Sequence, residues 1–230
     1  MFAKLLKVVS VAALAVLSGV TATPALAGTV SSDLIPIGSG TQWAALSPDG
    51  TMMATSNRGT NNVTIINLAD NSTQTVSVGS YDVNNLQGIV FSADSSKIYV
   101  ANYGSTFDVG TMQMVDSTDG VLVIDVQSAT AIDLLTYANA DWDTLAAVAM
   151  SPDGTKLYVS NAVNGRLYAY DLANDFVVWA PVQSSVTSSY TLFVAPDGET
   201  VYNVDWDGHV DVSQASDGVI IDSWTTSAVN

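Results

Sequence analysis

The chain has 230 residues, with 22 acidic against six basic side chains, a net charge of −16 and no cysteine. A field of that sign excludes nucleic acid and anionic membrane surfaces as partners. The absence of cysteine excludes disulfides, and a chain of this length buries a core without them.

At the N-terminus, Lys4 and Lys7 precede an apolar run from Val8 to Val20. Ala25-Leu26-Ala27 then reads as a small-residue cleavage site, with Gly28 as the first mature residue. The apolar run is too short to span a bilayer comfortably. Residues 1–27 are therefore expected to be a signal peptide. The remaining chain, 28–230, is expected to be periplasmic or secreted, with no membrane span once the signal is removed.

After one strand-like run, Thr29 to Ile37, the sequence settles into a repeat. Its clearest copy is Met150-Ser151-Pro152-Asp153-Gly154-Thr155-Lys156-Leu157-Tyr158-Val159-Ser160-Asn161. Proline pre-sets φ, aspartate bonds its own backbone and glycine takes positive φ, so Pro152-Asp153-Gly154 is a tight turn between two strands. The turn aspartates Asp49, Asp94, Asp153 and Asp197 recur at spacings of 45, 59 and 44 residues. Each repeat holds four short β-rich runs, A to D, and no helical stripe follows residue 27. The units run over about 43–79, 86–137, 145–182 and 190–225. Four strands at a period in the forties predict an all-β fold, a β-propeller of about four four-stranded antiparallel blades. The first run of each unit is small and apolar, as in Ala146-Ala147-Val148-Ala149, which suits a crowded axis.

These lines resemble the YVTN family of β-propeller repeats. The pattern stands here as Ser151 to Gly154 followed by Tyr158-Val159-Ser160-Asn161, and as Tyr99-Val100-Ala101-Asn102. The first unit keeps Ser47 to Gly50 but has Ala54-Thr55-Ser56-Asn57. The fourth keeps Pro196 to Gly198 but has Tyr202-Asn203-Val204-Asp205, and the second lacks the proline. The resemblance implies a propeller and leaves its role open. Propellers of that family are typically seven-bladed. Four units therefore imply a small ring, a half-ring completed by a second copy, or a truncated fragment without independent activity.

Propellers commonly bind through the face that carries the B–C and D–A connections. That face is expected to hold Asn57, Arg58, Asn102, Tyr103, Trp142, Asn161 and Trp206. The longest B–C connection, Tyr103 to Asp119, carries Phe107, Asp108, Met112, Met114 and Asp116. Each repeated asparagine also suits a plain turn cap, and each tryptophan suits plain packing. A glycan or a protein is the expected partner, and a second copy is a candidate.

Catalytic and metal motifs are sparse. His209 is the single histidine and Glu199 the single glutamate. Asp205, Asp207 and His209 are the candidate catalytic group for the alternative reading, a lactonase-like or other hydrolase. No G-x-S-x-G elbow or phosphate loop is present. No cofactor is expected. Calcium is the one cation that Asp141-Trp142-Asp143 or Asp205-Trp206-Asp207-Gly208 would suit, although neither supplies the spaced oxygens and terminal glutamate of an EF-hand loop. With one histidine and no cysteine, no zinc or copper site is expected. The sequence favours a binding or scaffold protein over an enzyme.

Overall fold

The computed structural model describes residues 34–78, 81–108, 113–116, 119–136, 144–182 and 186–226. The expected signal peptide, residues 1–27, Trp142 and its flanking aspartates, and Met112 lie outside them. All strands fall within the unit Ile35–Asn230. Residues 34–37, the described end of the expected leading strand, carry no strand.

Four antiparallel four-stranded sheets follow one another along the chain. The first blade comprises β1 (Thr41–Leu46), β2 (Met52–Asn57), β3 (Asn62–Asn67) and β4 (Thr73–Ser77). The second comprises β5 (Leu86–Phe91), β6 (Lys97–Asn102), β9 (Gly120–Asp125) and β10 (Thr130–Leu135). A separate hairpin, β7 (Ser105–Asp108) with β8 (Gln113–Asp116), is inserted between β6 and β9. The long B–C connection thus has strand structure of its own. The third blade is β11 (Leu145–Met150), β12 (Lys156–Asn161), β13 (Leu167–Asp171) and β14 (Phe176–Val182). The fourth is β15 (Ser189–Val194), β16 (Thr200–Asp205), β17 (His209–Gln214) and β18 (Ile220–Thr225). No helix occurs among the described residues.

The A–B turns form as the repeat dictates. Asp153 Oδ1 accepts from Ser151 Oγ at 2.6 Å and from the Thr155 amide at 3.0 Å. Gly154 takes φ +71°, where any Cβ is strained. Asp49 repeats the pattern with Ser47 and Thr51, and Asp94 with Ser92 and Ser96.

Blades pack face to face through three successive apolar clusters. Ala54, Val63 and Ile65 meet Ile89, Phe91, Ile98 and Val100. Tyr99, Ala101 and Val123 meet Val148, Leu157, Val159 and Tyr168. Tyr158, Ala149, Ala169 and Trp179 meet Leu192 and Val201. The first and last blades share no such cluster among the described residues, and the ring is not closed. Trp43 of the first blade and Tyr190 of the last lie with ring centroids 4.7 Å apart.

The axis is crowded, as the small A-strand residues imply. A Cβ on Gly88 would lie 2.8 Å from the Ala146 carbonyl oxygen and 2.8 Å from the Ala147 Cα. Every A strand also shifts register near its start: between Thr41 and Trp43, Leu86 and Ile89, Leu145 and Ala147, and Ser189 and Thr191. Such bulges sharpen the local twist and turn the strand entrance toward the D–A/B–C end.

Candidate functional site

The starts of the A strands and the ends of the B strands share one end of the propeller, and a cleft opens there between the first two blades. Its volume is about 460 Å³, and Gly40, Gln42, Arg58, Gly59, Asn61, Asn84 and Asn85 line it. That volume lies in the range of small-molecule sites, about 300–1,000 Å³. The lead-in to β1 and the β2–β3 turn are stitched together: Gly59 N donates to Ser39 O at 2.9 Å and Arg58 N to Gly40 O at 3.3 Å.

The cleft is built from asparagines in unusual backbone states. Asn61 and Asn85 take φ +48° and +59°, a region that asparagine tolerates better than most residues. Asn61 Nδ2 donates to the Val83 carbonyl at 2.6 Å, which fixes the orientation of its amide. Its Oδ1 is buried and accepts no hydrogen bond, and the Oδ1 of Asn84 is in the same condition. Buried polar atoms are almost always partnered. Two unpaired acceptors on residues that line one cleft are therefore a specific feature of this end. Asn85 Oδ1 is satisfied by Gln87 Nε2 at 2.7 Å, and Gln87 Oε1 accepts from Trp43 Nε1 at 3.3 Å. The exposed Arg58 adds a cation to the rim.

The repeated asparagines lie below this surface. Asn57, Asn102 and Asn161 are fully buried. Asn57 Nδ2 donates to Asn62 Oδ1 and Thr64 Oγ1. Asn102 Oδ1 accepts from the amides of Asn84 and Gly104, and Asn161 Oδ1 from those of Val163 and Asn164. Their amides close turns and ladders, and none of the three lines the cleft. The backbone amide of the half-buried Tyr103 donates to the Asn85 carbonyl beneath it.

A second group sits on the fourth blade. Asp205 ends β16 at the position that asparagine holds in the other blades, and it is buried. One of its oxygens accepts from the amides of Asp207 and His209, and the other lies 2.9 Å from His209 Nδ1. Burial pushes the Asp205 carboxyl up. The His209 amide, its imidazole and the Asp207 amide outweigh that effect and hold it below the ordinary carboxylate value. With Nδ1 engaged by Asp205, the partly exposed imidazole is held by a buried carboxylate. Asp207 is exposed in the turn. Trp206 is 67% exposed and packs against Tyr190 in a tilted arrangement, with centroids 3.7 Å apart. Trp43, Tyr190 and Trp206 thus form an aromatic chain from the first blade to the fourth. Among the described residues, no three carboxylate or imidazole side chains converge as a metal site requires.

Sequence reasoning missed Gln42, Asn61, Asn84 and Asn85. The available signal was two Asn-Asn pairs, 61–62 at the start of β3 and 84–85 just before β5.

Fold and site together define a β-propeller with polar clefts at its loop end. The family described as "Lactonase, 7-bladed beta-propeller" matches residues 38–205, and the chain belongs to that family. No functionally curated protein matches it. Among solved structures it is similar to Kuenenia stuttgartiensis hydrazine synthase, at a TM-score of 0.66 and 19% identity. The likeness covers 86% of this chain and 53% of that one, so this chain spans about half its length. At that identity the likeness concerns the fold.

Proposed function

We propose that this is an exported β-propeller binding protein whose D–A/B–C face takes a glycan in the cleft between the first two blades. The observation that carries this reading is the pair of buried, unpartnered amide oxygens on Asn61 and Asn84. Sugar hydroxyls are the neutral donors that satisfy such acceptors without introducing a charge to desolvate. Gln42 and Arg58 supply further donors at the rim.

Binding of the purified protein to a glycan array tests this, with Asn84→Ala as the control. Asn84 is the cleaner choice because its backbone lacks the positive φ of Asn61. The expected result is binding that falls at least tenfold in the variant, the order of one to two lost hydrogen bonds. An array with no bound glycan, or a variant that binds as the parent does, overturns the reading.

Family membership favours a second reading, hydrolysis of a sugar lactone. Here Asp205 orients His209, and His209 Nε2 takes a proton from the water that attacks the ring carbonyl. The ring C–O bond then breaks, and the leaving alkoxide regains a proton to give the hydroxy acid. Turnover of a sugar δ-lactone that disappears in His209→Ala supports this reading. Turnover unchanged by that substitution excludes His209 as its base.

A further inference from the structure

The cleft between the first two blades is lined by a single charged side chain, and we infer that it takes an acidic sugar, a hexuronate whose carboxylate is bound by Arg58. The inference rests on the glycan reading above and adds to it the charge of the ligand. Four basic residues follow residue 27: Arg58, Lys97, Lys156 and Arg166. Arg58 alone lines the cleft, and the other lining residues are glycine, glutamine and asparagine. In a chain with 22 acidic side chains, a cleft lined by one cation and no acid departs from the rest of the surface. Among the described residues, no carboxylate pairs with the Arg58 guanidinium and no hydrogen bond occupies it.

The backbone beneath this cation is fixed. Residues 38–40 lie directly on the β2–β3 turn, and glycine makes the approach possible. A Cβ on Gly40, at φ +67°, would lie 2.5 Å from the Gly59 nitrogen. One on Gly59 would lie 3.0 Å from the Ser39 carbonyl oxygen, and one on Gly38 would lie 2.6 Å from the Asn57 Cβ. The amides of Arg58 and Gly59 donate across this contact to Gly40 and Ser39. A ligand therefore has only the exposed Arg58 side chain to order there, which lowers the cost of binding.

Charge and geometry select the anion. A guanidinium is a planar fork that meets a carboxylate with two parallel hydrogen bonds. One cation balances one carboxylate. A phosphate monoester carries about −1.5 to −2 at pH 7, and it would bring uncompensated charge to a chain of net charge −16. The distant acids do not forbid a single negative charge, because exposed charges are screened beyond about 8 Å at physiological salt. The neutral amides of Gln42, Asn61 and Asn84 are the partners left for the sugar hydroxyls.

The test is an array of glucuronate, galacturonate, mannuronate and guluronate oligosaccharides. Each stands beside its methyl ester, which keeps the skeleton and loses the charge, and beside neutral hexoses and hexose 6-phosphates. Calorimetry then gives the affinity of each ligand that binds. A uronate is expected to bind about fivefold or more tighter than its own ester, the size of one well-formed ion pair open to solvent. That advantage should shrink as salt rises from about 0.05 M to about 0.5 M. In Arg58→Gln the acid-to-ester ratio should fall to about one. Arg58→Lys should keep part of it, since the charge remains and the fork is lost. A parent that binds acid and ester equally, or a hexose 6-phosphate more tightly than any uronate, overturns the inference and leaves the glycan reading standing. So does an Arg58→Gln variant with the parent's ratio. A parent that binds no saccharide on the array overturns both.

Discussion

His209 and Asp205 face each other across the β16–β17 turn, with Nδ1 and Oδ2 2.9 Å apart. The contact does two things at once. The carboxylate caps the turn through two backbone amides, and it holds the one imidazole of the chain through Nδ1.

Asp205→Ala removes all three acceptor contacts from a buried position. The expected cost is about 2–3 kcal/mol, since hydrogen bonds to charged groups are each worth about 1.5–3 kcal/mol and their losses are not additive. Urea unfolding of parent and variant checks it. The folded carboxyl lies below its ordinary value, so this stabilisation is present above that value and is lost as pH falls through the folded pKa. The difference between parent and variant should therefore be full at neutral pH and shrink under acid.

Asp94 titrates at about 2, chiefly because Ser92 Oγ donates to it at 2.6 Å, followed by the hydroxyl and amide of Ser96. The support it gives the turn is complete above the ordinary carboxylate value of about 3.9 and fades as pH falls through about 2. A carbon-detected NMR titration should find that low midpoint in the parent. In Ser92→Ala it should move up toward the ordinary value.

Gly88→Ala places a methyl group against backbone atoms of β11 at 2.8 Å. Backbone cannot rotate away as a side chain would, so β5 and β11 must separate at the axis. The expected loss is about 1–3 kcal/mol, the usual cost of overpacking. A melting temperature lowered by several degrees checks it, with Gly50→Ala as a comparison governed by positive φ (+71°) rather than by contact.

Asn84→Ala should separate binding from stability. Its Oδ1 is buried without a partner, and removing such an atom relieves a desolvation cost on the order of 1 kcal/mol. The variant should melt no lower than the parent while its glycan binding falls. A melting temperature several degrees lower would mean that this amide supports the fold.

N-terminal sequencing of the exported protein should begin at Gly28, after Ala25-Leu26-Ala27. A chain that begins at Met1 would mean that the segment is retained.

The strands and their turns were legible in the sequence because their causes are local. Ser-Pro-Asp-Gly sets its own φ values and hydrogen bonds, and β-rich runs such as Leu157-Tyr158-Val159 read as strands without reference to the rest of the chain. Asp205 and His209 were legible as a pair for the same reason, since one turn joins them. Tertiary structure decided the rest. The bulge at the start of each A strand answers crowding at an axis that four distant segments share. The hairpin within the long B–C connection was not written in any turn motif. The cleft exists because blade packing brings Arg58 and Asn61 beside Asn84 and Asn85, and because Val83, in the connection between the first two blades, holds the Asn61 amide in place.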